Sequence, residues 1–370
     1  MTQFQGWEFH DMKFDILSLG DHVPQPGRDI YLDTQAERFA LWIEMGRLGE
    51  ALGFRGIQFG EHHDSQYIIS APHMVLAAIA GQTSRIKLGT GVSLLANLDP
   101  VRFAEDFASL DLISNGRAEV GFGTGIEDSV FKLFGQDSKN RNDLIAENLE
   151  LLQRLWSENE VTWQGRFRAP IEHFRLEPKT FTGRSIPIAR GTGSLETAVK
   201  IGEAGHQILL PTMLGQFASL KGANDAYRQA YRSSGHDPRN LCASGVAYVF
   251  VGKDTASARQ YFEPFCDNYG AMVAREFGRH IMNPDIAKLA LSRTQRVIDL
   301  AFCGDAEEVA KGVLKAATAV GGLERMTCMF DIGGLPKDDV LESIERFATE
   351  VVPIVLNELA GGVQKVRSFA

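Results

Sequence analysis

Several things are scarce in this 370-residue chain, and each scarcity narrows the reading. There are only four cysteines: Cys242, Cys266, Cys303 and Cys328. They are widely scattered, with neither metal-ligand spacing nor a disulfide framework, so a reducing, cytoplasmic setting is expected. No apolar run reaches the roughly 18 residues of a spanning helix, so no membrane partner is expected. The start, MTQFQGWEFHD, lacks the basic and apolar stretches of a secretory signal, and residues 1–12 read as a short extension. Positive charge is in deficit: 38 Lys and Arg against 47 Asp and Glu give a net charge of −9. Without a basic face, nucleic acid is not expected as a partner. Tandem repeats and low-complexity segments are absent too.

What is present fits one large globular domain. Apolar residues make up 44% of the chain, enough for a sizeable core. Strand-like and helix-like stretches alternate. KFDILSL at 13–19 reads as a first strand. At 34–52 the residues Phe39, Trp42, Met45, Leu48 and Leu52 recur at helical spacing, with Gly53 as the stop. Strands follow at 56–59, 85–91, 117–121, 186–189, 207–210, 244–251 and 325–331, with helices between them. Eight strands alternating with helices predict an α/β fold, the (β/α)8 TIM barrel with insertions, as a single domain over 13–360. A doubly wound sheet would want a phosphate-binding turn after its first strand, and the loop at 21–33 has none. Two stretches break the rhythm: a β excursion at about 160–180 and a helical insertion at about 254–300. The tail at 361–370 reads as flexible. The helix at 72–81 is apolar nearly all round, so a second subunit is expected to cover one of its faces.

The chemistry-bearing residues gather after strands. Gly56, Ile57, Gln58 and Phe59 run into Gly60 and then four ionisable groups, Glu61, His62, His63 and Asp64. Loops at the carboxyl ends of barrel strands are where sites are built. A structural ionic cluster is one reading and a metal site another. Adjacent histidines on an extended chain point to opposite sides, so a shared ion is disfavoured and no metal is expected. The third reading is acid–base work by an imidazole in a rim pocket. Gly191, Thr192, Gly193, Ser194 and Thr197 form a glycine- and hydroxyl-rich turn before a helix, a phosphate site in the making, or else ordinary capping. Gly89, Thr90, Gly91 and Val92 end the third strand, where paired glycines fit either a flat ligand or a plain bulge. Phe122, Gly123, Thr124 and Gly125 form a comparable turn.

Together these strings resemble the bacterial luciferase-like family of flavin-dependent oxidoreductases. The resemblance runs from about residue 13 to 359. It rests on EHH at 61–63, IKLGTGV at 86–92, DPVRFAED at 99–106, LDLISNGRAEVGFGTG at 110–125 and FDIGGLPKDDVLESIERFATEVVP at 330–353. It implies a TIM barrel, dimeric through early helices. The cofactor implied is reduced FMN, supplied by a flavin reductase partner, with a deazaflavin coenzyme in one branch. O2 and a small-molecule substrate complete the reaction, an oxygenation through a flavin C4a-(hydro)peroxide. The alternatives are hydride transfer with deazaflavin and a non-catalytic flavin-binding or assembly subunit. The resemblance makes His62 the active-site histidine, with Glu61 orienting it and His63 in support. It places a cis peptide between Gly91 and Val92 beside the flavin ring, with Thr90, Gly123, Thr124 and Gly191 close by. Ser194 and Thr197, with Gly193 beside them, take the phosphate. Luciferase itself has an arginine at the position of Thr124 and an acid at that of Gly193, so light emission is not expected. The loops that shape the substrate pocket, 21–33, 211–216 and 254–300, carry no readable code.

Overall fold

The computed structural model describes residues 12–281 and 296–367. The expected extension therefore lies outside the described residues except for Met12, and so do residues 282–295 of the helical insertion.

The first half-barrel is built from β1 (Lys13–Ser18), α1 (Gln35–Leu52), β2 (Gly56–Phe59), α2 (Pro72–Ala80), β3 (Lys87–Thr90), α3 (Pro100–Ile113) and β4 (Val120–Phe122). Local signals set these bounds. Thr34 and Glu37 close a reciprocal capping box on α1, and Gly53 ends the helix in the left-handed region. Asp99 accepts the Val101 and Arg102 amides ahead of Pro100 on α3. Two helices follow, α4 (Asp128–Leu133) and α5 (Arg141–Ser157). The expected β excursion is then present as an antiparallel pair, β5 (Val161–Trp163) and β6 (Ile171–Phe174).

The second half comprises β7 (Ile188–Gly191), α6 (Leu195–Glu203), β8 (Gln207–Leu210), α7 (Phe217–Ser233), β9 (Ala243–Val251), α8 (Thr255–His280), α9 (Val297–Leu300), β10 (Phe302–Gly304), α10 (Ala306–Ala319), β11 (Arg325–Met329), α11 (Lys337–Arg346) and α12 (Val352–Arg367). Eight parallel strands line up in the order β3, β2, β1, β11, β9, β8, β7, β4. The ring closes between β3 and β4, where Leu88 bridges Ala118 and Ser93 bridges Phe122. The Thr90 hydroxyl reinforces this seam: it donates to the Gly121 carbonyl and accepts the Gly121 amide, both at 2.9 Å.

Two details differ from the sequence reading. Strand β10, which the sequence reading did not include, lies just past the end of the expected helical insertion. It forms because the nine-residue β9 outlasts its neighbour β11, leaving Val249, Phe250 and Val251 to pair with Phe302, Cys303 and Gly304. The last helix passes through a π turn at Phe347–Val351 and continues to Arg367, into the stretch expected to be a loose tail. Extending an existing helix is far easier than starting one. Helix α2 buries Val75, Leu76 and Ile79 but leaves Met74 65% exposed, so its apolar surface is not fully covered within one chain. Among the described residues no helix is long and apolar enough to cross a membrane.

The barrel's amino-terminal end is plugged by charge. Arg55 donates to both oxygens of Asp15 and both of Glu119, and Arg325 lies 3.5 Å from Asp15. These buried ions satisfy one another, which leaves the carboxyl-terminal mouth as the open end.

The candidate active site at the barrel mouth

Strand register decides what faces the barrel axis. Gln58, Gly89, Glu119, Gly121, Ala189, Gln207 and Arg325 line a small internal cavity, so these positions point inward. Side chains alternate along a strand. Two residues further toward the mouth, β2, β3, β4 and β7 therefore present Gly60, Gly91, Gly123 and Gly191. Four adjacent strand ends carry no side chain. The opposite half presents Leu17, Leu209, Tyr248 and Met329, placed by the register of β1, β8, β9 and β11. The mouth is thus bare on one side and apolar on the other.

The bare side is closely packed beneath. A Cβ on Gly60 would lie 2.6 Å from Leu19 Cδ2, one on Gly91 2.8 Å from Gln58 Oε1, and one on Gly123 2.7 Å from Val92 Cγ2. At Gly191 the nearest atoms are 3.8 Å away. The Gly91–Val92 peptide is cis, as the resemblance implies. The Val92 side chain reaches across to Gly121, Gly123 and Gly191. The expected contact residues Thr90, Gly91, Val92, Gly123 and Gly191 are therefore brought together, although the Thr90 hydroxyl is already committed to the β3–β4 seam. Thr124 sits beside them, half-buried, with no hydrogen-bond partner among the described residues.

The two histidines diverge. His63 Nε2 lies 2.9 Å from Glu61 Oε1, and its ring meets Phe134 edge-on. Glu61, only 3% exposed, also accepts the Leu94 amide at 3.2 Å, while its own amide donates to the Val92 carbonyl. Glu61 therefore does not orient His62, as the sequence reading expected. It secures His63 and the backbone on either side of Ser93. The His62 ring stacks on Tyr67, with centroids 4.2 Å apart. Neither of its ring nitrogens has a protein partner among the described residues. Burial, together with the neighbouring His63, pushes its pKa down to about 4, so the imidazole is neutral near pH 7. A neutral ring with free nitrogens can accept a proton or a hydrogen bond from whatever occupies the mouth.

A second group was not legible in the sequence. Tyr67 donates to the Tyr269 hydroxyl at 3.1 Å, and Tyr269 also packs against Tyr248 with ring centroids 5.5 Å apart. Asp21 accepts the Gly333 amide. Burial pushes the Asp21 carboxyl up to about 7, Arg38 opposes the rise and Asp331 adds to it. Asp331 takes the Ser18 hydroxyl at 2.6 Å and the Trp42 indole at 2.9 Å. On α8, His280 joins Ser129 at 2.6 Å to Glu276 at 3.1 Å. These residues come from segments far apart in the chain, with no spacing to mark them.

The loop after β7 has the features of an anion site. The Ser194 amide donates to the Thr192 hydroxyl at 3.0 Å, and the Ser194 hydroxyl accepts the Thr197 amide at 3.4 Å. Each hydroxyl keeps its own proton to donate. The first-turn amides of Leu195 and Glu196 have no acceptor among the described residues, as at any helix start. Glu196 is drawn aside by Lys200, 2.7 Å away. Gly193 and Ser194 are exposed. A Cβ on Gly193 would meet nothing nearer than Leu220 Cδ2 at 3.4 Å, so internal packing does not require glycine there.

Comparison with known proteins matches this geometry. The alkanal monooxygenase alpha chain of the Kryptophanaron alfredi symbiont is 24% identical over 361 residues, 92% of this chain and 98% of that one. An F420-dependent hydroxymycolic acid dehydrogenase of Mycobacterium tuberculosis is 23% identical over 352 residues, 90% of this chain and 89% of the other. The oxygenating constituent of 3,6-diketocamphane monooxygenase from Pseudomonas putida, a type II Baeyer–Villiger enzyme solved with FMN, superposes with a TM-score of 0.76. It covers 93% of this chain and 98% of its own at 20% identity, a likeness of fold. The model of the luciferase-like monooxygenase family matches residues 12–327. With that match across an eight-stranded barrel whose mouth carries the family's strings, this chain belongs to the luciferase-like monooxygenases and is one of their enzymes.

Proposed function

We propose that this enzyme is a flavin-dependent monooxygenase that uses reduced FMN and O2 to oxygenate a small organic substrate. The observation that carries the reading is His62: a neutral imidazole with uncommitted nitrogens, on the barrel rim beside four bare strand ends. A flat ring needs such a glycine-lined wall, and a phosphate needs the helix start at Ser194. Gly91, Val92, Gly123 and Gly191 would take the ring. Ser194, Thr192 and Thr197, with the α6 amides, would take the phosphate. When bound, reduced FMN supplies the electrons that let O2 give one oxygen atom to the substrate and the other to water.

The protein's own part is orientation, exclusion of water and proton handling. His62 accepts or shares a proton at the reacting edge, where a neutral imidazole is a competent base. Glu61 and His63 hold the backbone next to it. The apolar half of the mouth, with Leu17, Leu209 and Met329, keeps water from the reacting groups. We further propose a cytoplasmic enzyme, in keeping with four free, buried cysteines, supplied by a separate reductase. It would be homodimeric through the face that exposes Met74.

The second reading is hydride transfer with a deazaflavin coenzyme, favoured by the relative of that chemistry. The two separate when the purified protein is given each reduced cofactor with and without O2. Substrate-dependent O2 consumption with reduced FMN supports the monooxygenase. Anaerobic turnover with reduced deazaflavin alone overturns it.

A further inference from the structure

The insertion helix α8 is joined to the loop that carries His62 at several points. Tyr269 takes the Tyr67 hydroxyl, Arg275 holds Gln66 at 2.7 Å and Arg279 faces Asp64 at 3.5 Å. Asn268 also binds the Pro24 and Gly333 carbonyls, so the helix has a fixed seat over the mouth. Of these contacts, Tyr269 is the one that leads to the candidate base. Tyr67 is 6% exposed and Tyr269 2% exposed, and the plane of the Tyr67 ring is the surface on which His62 lies.

We propose that Tyr269 is a positioning residue for His62, acting through Tyr67. The Tyr67 backbone is already fixed, since it bridges Asp21, and the flanking residues bond back as His22 to Gln66 and Ile68 to Gly20. What remains free is rotation of the ring about its side-chain bonds. A hydrogen bond at the hydroxyl, the far end of the ring, stops the swing about Cα–Cβ with the longest lever, and burial of the ring so anchored holds its plane. The ring then offers His62 one plane, at 23° to its own. The His62 amide is held by the Ile69 carbonyl, but its ring has no hydrogen bond among the described residues, so this stack is the contact that sets the ring's direction. Around the pair, His63 acts electrostatically on His62, and Asp21, Tyr248 and Glu127 act on Tyr67. The insertion therefore tunes the imidazole through Tyr67.

This rests on the reading of His62 as the catalytic base, and the test separates the two. Tyr269→Phe and Tyr67→Phe each keep the ring and delete one hydroxyl. The first measurement is the NMR titration of His62 in the protein without cofactor. In both variants its pKa should move up toward the ordinary imidazole value, and the ring signals should broaden. The second is turnover with reduced FMN, where each variant should lower kcat about three- to tenfold, the weight of one hydrogen bond, with KM for flavin unchanged. The double variant should be no worse than either single one, because both remove the same bond. An unchanged His62 titration in both variants, or additive losses in the double variant, overturns the proposal. If His62→Ala turns over normally, the catalytic reading fails while the titration still decides the positioning.

Discussion

Glu61 grips His63 at 2.9 Å and leaves His62 to stack on Tyr67. Two adjacent histidines thereby receive different tasks. One is hydrogen-bonded to Glu61 and anchors the strand end. The other is a neutral ring whose nitrogens have no partner among the described residues.

The anchor makes a prediction about stability. Glu61→Leu strips the acceptor from both the Leu94 amide and His63, and a buried donor left unpaired costs about 1–3 kcal/mol. Thermal unfolding should show the corresponding fall in Tm. Glu61→Gln, which still offers an acceptor to Leu94, should recover most of it.

The neutral ring makes one about catalysis. His62→Ala should cut product formation by about a hundredfold or more while flavin titrates in with nearly the same affinity. Unimpaired turnover would remove His62 from the reaction.

The helix start makes one about cofactor choice. Gly193→Asp has room for its side chain and brings a negative charge to the proposed phosphate site. FMN affinity should fall about tenfold or more, the size of a charge placed against a helix-terminal anion site, while riboflavin, which lacks the phosphate, binds as before. Equal losses for both ligands would show that the phosphate sits elsewhere.

The barrel seam makes a prediction independent of function. In Gly121→Ala the new Cβ would land on the Thr90 carbonyl oxygen, a backbone atom that cannot yield without parting β3 from β4. Overpacking of this kind costs about 1–3 kcal/mol or more. A denaturant midpoint equal to the parent's would mean that the seam relaxes freely.

Burial also sets a pH dependence, in two opposing windows. His62 and His206 are each pushed down to about 4. The unfolded chain takes up their protons first, so the stability they contribute is lost as pH falls from about 6.5 to 4. Asp21 is pushed up to about 7. The folded state holds its proton longer than the unfolded chain, so that contribution is lost as pH rises from the ordinary carboxyl range through 7. Asp21→Asn, which is always neutral, should be less sensitive to raising the pH from 5 to 8 than the parent. Tm measured across that range for both proteins checks the sign.

Much of this was readable from the chain alone, for a physical reason. Strand and helix periods, the Thr34 and Asp99 caps, and glycines after strands are local signals, and a parallel barrel is assembled from local units in chain order. The eight strands, the rim position of Glu61, His62 and His63, and the helix start at Ser194 all follow from such signals. What only the tertiary structure decided depends on side chains from distant segments meeting. Whether Glu61 takes His62 or His63 turns on which way the loop bends after Gly60. That β10 exists turns on the unpaired end of β9. That Tyr67 meets Tyr269, 202 positions away in sequence, turns on where a long insertion comes to rest. No period or spacing records such meetings, because packing across the closed ring creates them.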